Sequence, residues 1–165
     1  MATSNRRLIR QRVLQALYAY ELSKEPISNV MDMILADLKS HKQDLEFAKA
    51  LITEVITHHE EIEAYIRTKV DHWEFDRIAV VDRVVLRMGI CELLYFQDIP
   101  PKVTINESIE VAKLFSTENS GKFINGVLDA VLEDLKSRNA LVKTGRGLIN
   151  KNIHDNKPRR PGKGT

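Results

Sequence analysis

Between Ile78 and Gln97 the chain carries Val80, Val81, Val84, Val85, Leu86, Met88, Ile90, Leu93 and Leu94, which occupy most angles of a helical wheel. A helix that is apolar on most of its circumference cannot lie on a surface and needs neighbours on nearly every side. This segment therefore predicts a central helix with the rest of the chain wrapped around it. The wrapping elements read as helices too. Leu, Ala, Glu, Lys and Ile recur in long stretches, only 7 glycines and 5 prolines interrupt 165 residues, and strand-like alternation is nearly absent. The expected fold class is all-α, built as two packed three-helix subdomains.

A first helix is expected from Asn5 to Ser23, ended by Lys24-Glu25-Pro26. Ile9, Val13, Ala16 and Tyr20 form its core stripe. Arg7, Gln11, Leu14, Tyr18 and Leu22 form a second stripe, open either to a partner or to another side of the bundle. A second helix follows from Ser28 to Leu38. A long third one runs from Asp44 towards Val70 on Leu45, Ala48, Ile52, Val55, His59, Ile62 and Ile66. The period is lost around His72 to Arg77, which marks the junction between the halves, with Trp73 as its plug. After the central helix, Pro100-Pro101 is a stop. Thr104-Ile105-Asn106-Glu107 then matches a capping box that would start a new helix near Ile105. That helix is expected to break over residues 116–121, and a last one carries Ile124, Val127, Leu128, Val131 and Leu135. The expected domain covers residues 1–139, in halves of about 1–72 and 73–139, followed by a basic disordered tail over 140–165.

Charge is segregated along this frame. Residues 1–24 hold five Lys/Arg against one acid, residues 25–135 hold 11 against 21, and residues 136–165 hold nine against one. Basic ends flanking an acidic middle point to nucleic acid at the ends and a basic protein at the centre. Cys91 is the only cysteine, which excludes an intrachain disulfide and fits a reducing, cytoplasmic setting. No apolar run is long enough to span a membrane.

Catalytic patterns are missing: no nucleophile–base arrangement stands out, no dinucleotide fingerprint follows a strand, and Gly121-Lys122 lacks the rest of a phosphate loop. An enzyme is not expected, and neither is a cofactor. His58-His59 cannot chelate one metal, because adjacent helical residues diverge by about 100°. Glu92 shares a helix face with Val81, Val85 and Met88, so if buried it needs a charged partner or backbone N–H groups.

Binding is the better class. Arg6, Arg7 and Arg10 lie within about 100° on the first helix, so their guanidinium groups can converge on neighbouring phosphates. Arg12 points elsewhere. Lys122 and Phe123 add a cation and a stacking ring near the last helix start.

Four blocks carry a resemblance: Arg6-Arg7…Arg10…Gln15-Ala16-Leu17-Tyr18; Val81-Asp82-Arg83-Val84-Val85-Leu86-Arg87…Glu92-Leu93; Lys102 through Lys113; and Lys122-Phe123-Ile124-Asn125-Gly126-Val127-Leu128-Asp129. Together they resemble the NusB family of bacterial transcription antitermination factors. The resemblance implies an RNA-binding adaptor that recognises boxA RNA of ribosomal leader transcripts. It would act jointly with the small-subunit ribosomal protein NusE and help an RNA polymerase antitermination complex resist termination. It also implies RNA contacts from Arg6, Arg7, Arg10, Lys113, Asn119, Lys122 and Phe123, and a NusE-facing surface that includes Tyr18, Leu22 and Asp82. A homodimer is a further use of the second stripe. Replacing Arg7 and Arg10 by Glu is expected to weaken RNA binding while leaving thermal unfolding nearly unchanged. The alternatives are a NusB-like module of an rRNA cytosine methyltransferase and a protein-only helical scaffold. Against the methyltransferase stands the lack of a Rossmann-like domain or a catalytic cysteine pair.

Overall fold

A computed structural model describes residues 5–149 as eight α-helices, with no strand among the described residues. They are α1 (Arg6–Ser23), α2 (Ile27–Ile34), α3 (Lys42–Thr57), α4 (His59–Lys69), α5 (His72–Arg77), α6 (Val80–Tyr95), α7 (Pro101–Phe115) and α8 (Glu118–Ser137). Short 3-10 turns cover Ala36–Leu38 and Gly145–Leu148. The apolar helix is central: α6 touches α1, α3, α4, α7 and α8. Leu86 and Ile90 are 0% exposed, as are Cys91 and Leu51 of α3. Truncating a fully buried leucine such as Leu86 to alanine costs about 2–5 kcal/mol in cores of this kind. The packing of α6 on α8 is close, since a Cβ added at Gly89 would come within 2.9 Å of the Leu128 side chain.

Local chemistry sets the helix ends. Asn5 Oδ1 accepts the Leu8 N–H at 3.2 Å, an N-cap that fixes the start of α1. Lys24 then takes a left-handed conformation (φ 56°) and closes it. As expected, α1 buries Ile9, Val13 and Ala16; Leu14, assigned to the outer stripe, is also core at 2% exposed.

Five details differ from the sequence expectation. The long third helix is two helices, broken at His58, whose backbone leaves helical geometry at φ −105° and ψ 25°. The His58 ring stacks on Tyr95 of α6 at 4.0 Å, and the Ile62 N–H still bonds to the His58 carbonyl. The break keeps Val55, Ile62 and Ile66 on the core side, so the apolar spacing runs straight through it. Trp73 is 60% exposed and plugs nothing; the buried aromatic of α5 is Phe75, at 3%. Arg67 lies over the Phe75 ring at 3.7 Å. The true capping box sits at Asp71 and Glu74.

Thr104 does not cap α7. Pro101 opens that helix as its first residue, because proline has no N–H to lose there. Thr104 is buried one turn further on, and its hydroxyl donates to Glu92. The α7–α8 connection is shorter than expected, only Ser116 and Thr117. The chain also stays on the bundle past Asn139: Leu141 packs against the core and the Thr144 N–H bonds to the Gln97 carbonyl at 3.0 Å. The rest of the expected tail, 150–165, lies outside the described residues.

Candidate functional site

The first turn of α1 carries no acidic residue, so its helix dipole and the exposed Arg6 and Arg7 present one sign of charge. Arg6 lays its guanidinium over the Phe47 ring at 3.9 Å, which orders the side chain while leaving its N–H groups unpaired with carboxylates among the described residues. Arg7 forms a two-point pair with Glu107 of α7, Nε to Oε2 at 2.9 Å and Nη2 to Oε1 at 3.0 Å. The Glu107 hydrogen bond raises the Arg7 pKa above its ordinary value. The Arg7 side chain is still 47% exposed, and a pair this open to water is exchangeable for another anion.

Arg10 is not brought to the surface with them. It is 3% exposed and turned into the protein, where Nε and Nη2 bind the two oxygens of Glu92 at 2.9 and 2.7 Å. Burial opposes the Arg10 charge, but the field and hydrogen bonds of Glu92 reverse that effect and raise its pKa. Thr104 supplies one more donor to Glu92 Oε1 at 3.2 Å. Glu92 thus finds the partner that its helix face demanded. Replacing Arg10 by Glu would set two buried carboxylates against each other, so the expectation of unchanged thermal unfolding does not survive this geometry.

These residues border an open groove of about 900 Å³, walled by Arg6, Arg7, Pro100, Val103, Glu107 and Asp98, with Arg10 at its base. Arg146 lines it as well. Sequence reasoning missed Arg146 because the Gly-Lys-Arg composition after Asn139 reads as a solvated tail. The usable signal was Leu141, which packs against the core ahead of Gly145-Arg146-Gly147, while Val142, Leu148 and Ile149 stay exposed.

The other predicted RNA residues gather where α7 ends and α8 begins. Lys113, Asn119 and Lys122 are exposed. The Lys113 stem runs 4.0 Å from where a Cβ on Gly121 would sit, which brings it against the first turn of α8. Phe123 is half-buried and lines a separate hollow of about 420 Å³ with Trp73, Arg77, Asn119 and Asp82.

Of the predicted partner-facing residues, Tyr18 is 37% and Leu22 59% exposed, one turn apart on α1. Asp82 is not an open surface charge. It is 8% exposed, accepts the Ser120 hydroxyl at 2.9 Å through Oδ2, and forms part of the hollow beneath Phe123. Its position in the first turn of α6 explains the burial, since α8 begins directly over it.

The NusB family model matches residues 7–133. The transcription antitermination protein NusB of Chloroherpeton thalassium is 42% identical over 150 residues, covering 88% of this chain and 69% of that protein. NusB of T. maritima superposes with a TM-score of 0.75 at 37% identity, covering 81% of this chain and 94% of the other. A crystal structure of the antitermination factors NusB and NusE with double-stranded RNA matches with a TM-score of 0.70 at 27% identity, covering 78% of this chain and 96% of that one. With a basic groove at the start of α1, no assembled catalytic group among the described residues, and these likenesses, the chain belongs to the NusB family of transcription antitermination proteins.

Proposed function

We propose that this chain is a non-catalytic adaptor that holds boxA-type RNA at the start of α1 while a NusE-type ribosomal protein docks nearby, and so helps RNA polymerase read through terminators. That role belongs in the cytoplasm, and no helix among the described residues is long and apolar enough to cross a membrane. The observation that carries the reading is the pair of exposed guanidinium groups, Arg6 and Arg7, held on one groove wall by Phe47 and Glu107. A phosphate entering the groove meets Arg6 directly and can take Arg7 from a solvent-exposed carboxylate pair. Arg10 serves as a positioning residue, because its buried pair with Glu92 fixes the α1 turn that presents the other two.

Lys113, Asn119, Lys122 and Phe123 form a second contact zone, with Phe123 as a stacking surface for an unpaired base. Tyr18 and Leu22 form the exposed apolar step for the ribosomal partner, and Asp82 supports the α5–α8 side from within. The complex of NusB and NusE with RNA supports this reading for a fold shared across most of the chain.

Binding of boxA and scrambled RNA, each with and without the ribosomal protein, tests it. Arg6→Glu with Arg7→Glu lowers boxA affinity by about tenfold or more and reduces the salt slope by roughly 1.4 for two lost phosphate contacts. Unchanged affinity in that variant removes RNA from the α1 groove. A protein-only scaffold would bind the ribosomal partner with no response to RNA.

A further inference from the structure

The segment after α8 is built to dock. Asn139 turns left-handed (φ 52°) and the Ala140 N–H returns to the Leu135 carbonyl at 2.8 Å, which reverses the chain at the end of α8. Lys143 Nζ then donates to the carbonyls of Glu92 and Phe96, at 3.1 and 2.9 Å, a second donor to acceptors that already take the Phe96 and Ile99 N–H groups at the end of α6. The Thr144 N–H caps the Gln97 carbonyl beside them. Gly147 closes the arrangement, because a Cβ there would collide with the Gln97 carbonyl oxygen.

The consequence is where Arg146 ends up. It sits between Gly145 and Gly147 on this docked turn, is exposed, and makes no ion pair with any described residue. Its side chain lines the same groove as Arg6 and Arg7. Among the described residues, the acids lining that groove are Glu107, already bound to Arg7, and Asp98.

We infer that residues 141–149 form a strap that completes the RNA groove, and that Arg146 is an RNA-contacting residue directed at a backbone phosphate. This inference rests on the reading of the α1 groove as RNA-binding. An arginine held on a docked turn loses less conformational freedom on binding than one on a free tail, so its position and not merely its charge contributes. Two segments then grip one strand in a shared groove, α1 through Arg6 and Arg7, the strap through Arg146.

The test uses the full chain and a short single-stranded boxA-type RNA, titrated by fluorescence anisotropy over a range of salt. Arg146→Ala weakens binding several-fold and lowers the salt slope by about 0.7, one phosphate contact. Gly147→Ala changes no charge, yet undocks the turn and weakens binding by a similar factor. The double variant is no weaker than the more affected single, because the two act through one contact. Wild-type affinity in Gly147→Ala, with its melting temperature lowered to show the strap released, overturns the positioned contact. Wild-type affinity in Arg146→Ala overturns it independently of how Gly147→Ala folds. An Arg6→Ala/Arg7→Ala variant runs alongside. If it loses affinity while both strap variants bind normally, the strap inference falls alone; if all three bind normally, the groove reading falls with it.

Discussion

Helix α6 carries a buried carboxylate near each end, and the two are treated very differently. Glu92 is 1% exposed, and its oxygens receive two N–H groups of Arg10 and the Thr104 hydroxyl, while its backbone carbonyl receives Lys143. Asp82 is 8% exposed with a single donor, Ser120, and its Oδ1 is buried without a hydrogen-bond partner among the described residues. A complete network converts a costly buried charge into a clamp, here joining α1, α6, α7 and the strap. A half-complete one holds its neighbours weakly and retains an unmet demand. Between them Arg87, 7% exposed, bridges Glu21 of α1 and Glu63 of α4 at 2.6 Å each. Architecture is thus anchored at the Glu92 end and at the middle of α6, and the Asp82 end is left the most adaptable.

The largest effect that separates the two carboxylates comes from Glu92→Gln. It leaves the Arg10 guanidinium buried without a counter-charge and lowers unfolding free energy by about 3–5 kcal/mol in a denaturant titration. Pairing Glu92→Leu with Arg10→Met restores most of that loss, and a single-variant cost below about 1 kcal/mol would erase the contrast. Asp82→Asn sits at the other pole. The Ser120 hydroxyl can still donate to the amide oxygen, and the expected change is within about 1 kcal/mol.

The third test concerns the clamp's outer member. Burial pushes Lys143 down to about 8, against the pull of Glu92 and Asp98. An unfolded lysine keeps its proton to about 10.4, so between those values the unfolded chain binds more protons. Stability contributed here rises with pH across that window and is lost as pH falls through about 8. The melting temperature of the wild type therefore gains on that of Lys143→Met from about pH 8 to 10. Parallel curves would detach Lys143 from the clamp. The smallest effect belongs to Arg12→Ala, which breaks a solvent-exposed pair with Asp37 at 2.6 Å and shifts stability by under about 0.5 kcal/mol.

The sequence disclosed the bundle well and its side-chain commitments poorly. Helical spacing located α1, α6 and the end of α8, because burial of apolar residues repeats at a period that survives local detail. The same period hid the break at His58, since the bend returns Ile62 to the face that Val55 left. It also placed Trp73 inside, where Phe75 proved to be. For the site, the spacing of Arg6, Arg7 and Arg10 indicated one basic face, yet it could not tell which arginine had a buried acid opposite. Glu92 was marked as needing a partner, and Arg10 as a free cation; 82 residues separate them, and only the packing of α1 on α6 joins the two statements. Arg146 was hidden by composition, which reports average solvation and not where a backbone docks.

Cys91 lies on α6 between Ile90 and Glu92. It is fully buried in the C-terminal half of α6, where loss of water and the nearby Glu92 and Glu54 charges drive its thiol pKa far up. A thiol in that state neither forms a thiolate nor meets a reagent until the bundle opens. The molecule therefore contains a built-in clock: the rate at which a thiol reagent consumes Cys91 counts global openings of the core. Single cysteines added to the strap or to α1 would react on a separate, much faster timescale. Labelling at the groove and timing of the core can then be read from one sample, without altering the native cysteine.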